Sequence, residues 1–95
     1  MAIAAITTVT HTAVTVGAVT TVAKAASADR KWLLLVNDSD ETVYVKLGAA
    51  AVLNQGIRIS ASGGALELTE GSLYLGAVNC ICASGGKTLL VTEAV

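Results

Sequence analysis

Few side chains in this chain could perform acid–base or nucleophilic chemistry, and their spacing matches no catalytic motif. His11 is the only histidine among the 95 residues, and it lies in a threonine-rich stretch. A Ser-His-Asp triad would have to use it, yet no serine stands in the G-x-S-x-G sequence that presents such a nucleophile. We therefore expect no catalytic residue and predict that the protein is not an enzyme.

Two short patterns resemble parts of ligand-binding loops but lack the positions that bind. Asp38 and Asp40 alternate as at the start of a calcium loop, but positions 6 and 12 are valine and alanine instead of glycine and glutamate. The run Gly86-Lys87-Thr88 resembles the end of a phosphate loop whose first glycine is replaced by isoleucine. We expect turns at both places, with no metal and no cofactor.

Cys80 and Cys82 are the only cysteines. At positions i and i+2 of a strand their side chains point to the same face, which does not favour a disulfide between them. No C-x-x-C or Cys–His set suggests zinc. We expect small buried side chains in a reducing compartment; a reactive or intermolecular thiol remains the alternative.

Charged residues are scarce throughout the chain. They make up 14% of it, against about 25% in ordinary soluble proteins, while 54% is hydrophobic and the net charge is −1. A chain with no basic excess lacks the surface that binds a phosphate backbone, so we expect no nucleic-acid partner. A single domain of this size with so little charge is expected to bury surface against other protein, as a homo-oligomer.

The first 23 residues carry no charged side chain and include seven threonines. No basic residue precedes the apolar positions as in a signal peptide, and dense threonine and valine favour extended chain over a membrane helix. Fully extended, the segment would span roughly 75 Å, so it must fold back or reach a neighbour. We predict an extended arm over 1–24 that adds a strand to another subunit, with Thr10, Thr12, Val14 and Val16 as interface residues.

The rest of the chain, residues 25–95, is predicted to form a compact β domain. Turn sequences recur every 8–12 residues, which is typical of a sandwich or barrel of short strands. Residues 31–36 are apolar on both faces, which predicts a central strand covered on both sides. Residues 42–47 alternate, and the two runs predict a hairpin around the turn at 37–41. The sequence predicts an all-β fold, a small β-sandwich or barrel of about seven or eight short antiparallel strands.

Inward positions of these strands predict the core, and the two tyrosines are candidate interface residues because exposed tyrosine is common at protein contacts. Tyr44 is predicted on the polar side of its strand and Tyr74 on the same side of another. A core of this size leaves a monomer marginally stable, which again favours oligomers. The predicted core consists of Trp32, Leu34, Val36, Val43, Val45, Ile57, Ile59, Leu66, Leu68, Leu73, Leu75, Val78, Leu89 and Val91.

A run of short motifs extends over residues 29–93 of the chain. The pattern is an Asp-Arg pair, a leucine-rich strand with Asn-x-Ser after it, a Val-Tyr-Val strand ending in glycine, and a glycine-marked meander with a Val-Thr-Glu ending, in segments 29–39, 43–48, 56–59, 63–64 and 91–93. In this pattern the chain resembles small virion structural proteins of tailed bacteriophages. The resemblance implies a compact β-sandwich that binds other virion proteins without catalysis.

Among virion components we expect a capsid decoration (cement) protein that binds and stabilises a phage head. Its partner would be the major capsid protein or another virion protein, and its location the virion, assembled in the host cytoplasm. A homo-trimer is expected only by analogy with other decoration proteins. The alternatives are a tail or head–tail connector component, or a host-surface or glycan-binding module of a fibre.

Overall fold

The computed structural model describes residues 5–95, which form eight β-strands and no α-helix. None of these residues belongs to a helix that is long and apolar enough to cross a membrane. The strands are β1 (Val9–Val16), β2 (Thr21–Lys24), β3 (Trp32–Asn37), β4 (Val43–Leu47), β5 (Ile57–Ile59), β6 (Ala65–Leu68), β7 (Val78–Ile81) and β8 (Lys87–Ala94).

The strands form two antiparallel four-stranded sheets that pack face to face. Sheet A has the order β1-β8-β3-β6 and sheet B the order β2-β7-β4-β5. Almost every connection passes from one sheet to the other, and only β4 and β5 are neighbours in both sequence and space. This order is that of an eight-stranded jelly roll. The predicted all-β sandwich of short antiparallel strands is confirmed.

The amino-terminal segment contributes one strand to each sheet. β1 pairs with β8 along its whole length, from Val9 opposite Ala94 to Val16 opposite Lys87, and β2 pairs with β7. The boundary expected at residue 24 therefore does not separate an arm from a domain, because the described part of the segment folds back onto its own chain. Residues 1–4 of the predicted arm lie outside the described residues, and its contact with another subunit stays a prediction.

The prediction that residues 31–36 and 42–47 form a hairpin is wrong, because β3 lies in sheet A and β4 in sheet B. The connection is an arch that Asn37 holds together from inside. The Asn37 side chain is fully buried, and its Nδ2 donates to the carbonyl oxygens of Glu41 (2.8 Å) and Ile59 (3.1 Å). The bond to Ile59, in sheet B, directs the chain across the sandwich.

The face of β3 that points into the core also differs from the expectation. Leu33 and Leu35 are fully buried, whereas Trp32, Leu34 and Val36, predicted as core, are half-buried on the opposite face. With apolar side chains at every position, the alternation could not show which face points inward. Pairing with β8 and β6 decides it, since those strands also have one apolar face turned to sheet B.

Most other predicted core residues are where they were expected. Leu75 is the exception, since it is 40% exposed and residues 73–75 form no strand. Ile57, Leu66 and Leu73 are half-buried and pack against the core. The predicted residues that are buried are Val43, Val45, Ile59, Leu68, Val78, Leu89 and Val91.

Candidate functional site

The outer face of sheet A, turned away from sheet B, is almost uncharged. Its side chains follow from the strand register, in which directly opposed residues share a face. Glu67 is the one charged residue among them. The face comprises Val9, His11, Ala13 and Thr15 of β1, Thr88, Leu90, Thr92 and Ala94 of β8, Trp32, Leu34 and Val36 of β3, and Ala65 and Glu67 of β6.

Apolar side chains form the middle of this face. Leu90 is 40% exposed and Val9 46% exposed, and the outer side chains of β3 are half-buried. The single carboxylate is held by a neighbour, because Trp32 Nε1 donates to Glu67 Oε2 at 2.6 Å. The eight described strands form only the two sheets, so no described strand packs over this face. The sequence of β3 fits a strand covered on both sides, and an apolar face of this kind is suited to contact with another protein.

The outer face of sheet B carries mostly polar side chains, with Val22 and Ile81 as apolar members. Tyr44 Oη donates to Asn54 Oδ1 at 3.0 Å, and Lys46 Nζ donates to Gln55 Oε1 at 3.1 Å. Arg58 lies opposite Tyr44 and is exposed. The predicted interface residue Tyr44 therefore lies on the hydrated side of the sandwich, opposite the apolar face.

The predicted interface residues of β1 separate into two groups. Thr10 and Thr12 are exposed. Val14 is half-buried against the core, and Val16 is fully buried in it. Only the two threonine side chains are thus available to a partner, and Val16 is corrected to a core residue because β2 and β7 lie over it.

Tyr74 is half-buried and packs against the core instead of projecting from the surface. Its phenol lies between Gly48 and Gly76, and a Cβ on either glycine would collide with Tyr74 Oη. The structure therefore does not bring the predicted interface residues together. They occupy the β1 edge, the outer face of sheet B and a glycine-lined slot.

A buried ion pair, which the sequence reasoning missed, ties three parts of the chain together. Arg30 is 2% exposed, and its Nε donates to Glu93 Oε2 at 2.8 Å. Its Nη1 donates to the carbonyl oxygens of Tyr74 (2.7 Å) and Gly76 (3.0 Å), and Nη2 to that of Ala25 (2.7 Å). The guanidinium donates four hydrogen bonds within the protein, which indicates a structural role and not a binding site.

One signal could have revealed this pair. Glu93 follows Leu89 and Val91 at the same period of two, so the alternation itself places its carboxylate on the inward face of β8. A buried carboxylate requires a partner of opposite charge.

The thiols are buried as expected. Both cysteines are free, and each Sγ faces a carbonyl oxygen: Cys80 that of Thr21 at 3.4 Å, and Cys82 that of Val16 at 3.5 Å. Burial, and secondarily the neighbouring Cys82, raises the pKa of Cys80 to about 12. Burial also raises the pKa of Cys82. Both thiols are therefore protonated near neutral pH, and the thiol is the unreactive form.

The remaining titratable groups form ordinary surface contacts. Asp40 Oδ1 accepts from Lys87 Nζ at 2.7 Å, and this hydrogen bond holds the pKa of Asp40 below its usual value. His11 Nδ1 lies 3.2 Å from Thr92 Oγ1. Among residues 5–95, no three His, Cys, Asp or Glu side chains are close enough together to hold a metal ion.

Two surfaces of the described residues are thus suited to another protein: the outer face of sheet A and the edge of β1 next to it. Both are dominated by apolar and threonine side chains. No protein-family model, curated protein or solved structure matches this chain. Function is accordingly inferred from these two surfaces.

Proposed function

We propose that this chain is a non-enzymatic structural protein of a bacteriophage virion, a capsid decoration protein that binds the head through the outer face of sheet A. The observation that carries the proposal is the composition of that face, where Glu67 is the only charged residue and Trp32, Leu34, Val36 and Leu90 are exposed or half-buried. A contiguous apolar patch on a small domain marks a site of protein contact.

The area of the outer face of sheet A favours binding by many copies at once over binding by a single copy. Four strands about 4.8 Å apart and up to eight residues long cover an area of about 19 Å by 27 Å. That is about 500 Å², less than the roughly 800 Å² per partner of a standard stable interface. A single copy would therefore bind weakly, whereas a lattice of oligomers would bind through avidity. Repeated binding of this kind is what a decoration protein needs.

The fold is compatible with this role, and the aromatic side chains argue against the sugar-binding alternative. Jelly rolls occur in viral capsid proteins and in lectins, so the fold alone does not choose between them. A sugar platform needs aromatic side chains grouped on one surface. Trp32 lies on the outer face of sheet A and Tyr44 on that of sheet B, on opposite sides of the sandwich.

The mechanism would be burial of apolar surface against the major capsid protein, which adds contacts between neighbouring capsid subunits. Because the face carries so little charge, binding would depend weakly on ionic strength. Each copy would contribute stabilisation to the shell without any chemical step, and the protein would be located on the virion.

The test is binding to heads assembled without the protein. Purified protein is mixed with such heads, and the particles are imaged by electron cryomicroscopy. Extra density over the whole lattice is expected. Density confined to the tail vertex, or its absence, would overturn the proposal.

A matched pair of variants tests the binding face. Leu90→Lys places a charge on the outer face of sheet A, and Val22→Lys places one on a similarly exposed strand position of sheet B. We expect Leu90→Lys to lose lattice density and Val22→Lys to keep it. The reverse pattern would show that the other face binds.

A further inference from the structure

The edge of β1 presents backbone groups that pair with no strand among residues 5–95, and the structure shows which ones they are. Thr8 and Val95 exchange both backbone hydrogen bonds, at 3.1 Å and 2.9 Å. In an antiparallel ladder such pairs alternate with pairs that do not bond each other. The backbone groups of Val9, His11, Ala13 and Thr15 therefore point away from β8, toward the open edge.

This edge lacks the features with which proteins protect an exposed strand. β1 has eight residues with no charged side chain and no proline, and its ladder with β8 has no register shift. The other three edge strands have four residues or fewer, and each carries a charge: Lys24 in β2, Arg58 in β5 and Glu67 in β6. A charge on an edge strand discourages pairing with another strand, so β1 is the edge suited to it.

We propose that β1 pairs antiparallel with β1 of a second copy of this chain, about a two-fold axis at Thr12. In a symmetric strand pair the residue at the axis lies opposite its own copy, so a charged residue there would meet a like charge. β1 carries no charged residue. The strand is therefore compatible with a second copy of itself as its partner.

The hydrogen bonds select the register. With the axis at Thr12, Val9 lies opposite Thr15 and His11 opposite Ala13, so all four outward-facing residues of each copy bond across the axis. With the axis one residue later, Val9 would face Gly17. The Gly17 N–H already donates to Thr21 Oγ1 at 3.0 Å, and its carbonyl already accepts from the Cys82 N–H at 3.0 Å. With the axis one residue earlier, Thr15 would face Thr7, whose N–H already donates to the Val95 carbonyl oxygen at 2.7 Å. The axis at Thr12, by contrast with these two, leaves no bonded group opposite an open one.

The result would be one continuous eight-stranded sheet, with the outer faces of both copies side by side. A two-fold contact closes at two copies, whereas the trimer expected by analogy needs a head-to-tail contact. The dimer does not depend on the proposed function, since it concerns contact between copies whatever the assembled protein binds.

Cross-linking at the axis tests the register. In Thr12→Cys the two new thiols lie opposite each other in a pair whose Cβ atoms are about 4.5–5.5 Å apart, close enough for a disulfide after a small shift. The matched control is Thr10→Cys, which lies opposite Val14, so its two copies are about 13 Å apart along the strands. Mild oxidation should link Thr12→Cys into a species of twice the 9.5 kDa chain mass and leave Thr10→Cys unlinked. Wild type should also stay unlinked, because Cys80 and Cys82 are buried.

Charge complementation tests the same axis without covalent chemistry. Thr12→Lys and Thr12→Glu, each alone, place like charges about 5 Å apart and should weaken the dimer by about tenfold. A one-to-one mixture should restore it, because opposite charges then face each other. Thr12 is exposed, so both variants should fold, which circular dichroism checks.

The mass in solution at micromolar concentration, together with the cross-linking and mixing results, decides whether the proposed dimer forms. A wild-type dimer, selective linking of Thr12→Cys and restoration in the mixture would support the proposal. A wild-type monomer or trimer, linking of Thr10→Cys as readily as Thr12→Cys, or a mixture no tighter than its components would overturn it. Head binding is scored separately, so either proposal can fail alone.

Discussion

The buried pair of Arg30 and Glu93 gives the sharpest prediction about what holds this sandwich together. Glu93 Oε2 accepts from Arg30 Nε at 2.8 Å, while Lys24 Nζ lies farther away, 3.7 Å from Glu93 Oε1. Glu93→Gln keeps the side-chain size and removes the charge. Arg30→Met keeps the aliphatic length and removes every hydrogen bond that the guanidinium makes.

The two changes should differ in magnitude. In Glu93→Gln, Arg30 keeps its three bonds to backbone carbonyls, and the Glu93 side chain is already 10% exposed, so we expect a loss of about 2–3 kcal/mol. Arg30→Met leaves three carbonyl oxygens without this donor and Glu93 with only Lys24, so we expect about 4–5 kcal/mol. A domain of this length has a total stability of about 5–14 kcal/mol. Arg30→Met should therefore remove between about a third and nearly all of the stability.

Urea unfolding measures both losses, followed by circular dichroism and by the fluorescence of Trp32, the only tryptophan. For Glu93→Gln the midpoint should fall by more than about 1 M. Arg58→Met and Glu70→Gln make the same chemical changes at exposed positions and should stay within about 0.5 kcal/mol of wild type. The controls separate the buried pair from general effects of lost charge.

The double variant Arg30→Met/Glu93→Gln completes a thermodynamic cycle with the two single variants. It removes both charges together, so it should cost less than the sum of the single changes by at least about 2 kcal/mol. The reasoning would be refuted by a loss below about 1 kcal/mol in Glu93→Gln, or by single losses that simply add. Either result would mean that the carboxylate and guanidinium do not depend on each other.

Three further predictions concern Asn37 in the arch, the loss of stability at low pH through Glu41, and the reactivity of the two thiols. Asn37→Ala should lower the free energy of unfolding by about 2–3 kcal/mol in urea, because two backbone carbonyl oxygens lose their buried amide donor; an unchanged midpoint would contradict this. Hydrogen bonds from the Ser84 N–H and Oγ lower the pKa of Glu41 from its ordinary 4.5, so its stabilising contribution is complete above pH 4.5 and lost as pH falls below it. Urea midpoints between pH 6 and pH 3 should thus fall less steeply in Glu41→Gln than in wild type, and equal slopes would count against this effect. A thiol reagent at pH 8 should label Cys80 and Cys82 only after unfolding, since burial keeps both protonated, and rapid labelling of the folded protein would contradict the structure.

Local alternation predicted β4 correctly but could not orient β3. In β4, Val43 and Val45 alternate with polar neighbours, so only one face can be buried and the period of two identifies it. In β3 an apolar residue stands at every position from Trp32 to Val36, so both orientations bury similar side chains. Pairing with β8 and β6, which are distant in sequence, determines which face of β3 is buried.

The candidate surfaces were predictable to a similar extent. The lack of charge in the first 23 residues indicated a strand that needs a partner, and the apolar faces of residues 31–36 indicated a strand needing cover on both sides. Which side stays uncovered depends on how the sheets pack. The burial of Val16 and Tyr74 depends on it too, because each packs against elements far along the chain.

The sequence by itself determined that the protein is all-β, where most of its strands lie and where its charges are missing, because these properties follow from the types and spacing of neighbouring residues. Only the tertiary structure decided that β1 and β2 enter different sheets, that β3 and β4 form an arch, and that Arg30 meets Glu93 63 positions away. Sheet order depends on pairing between distant strands, and many orders bury the same local pattern equally well. The physical choice among them is made by contacts that no short stretch of sequence contains.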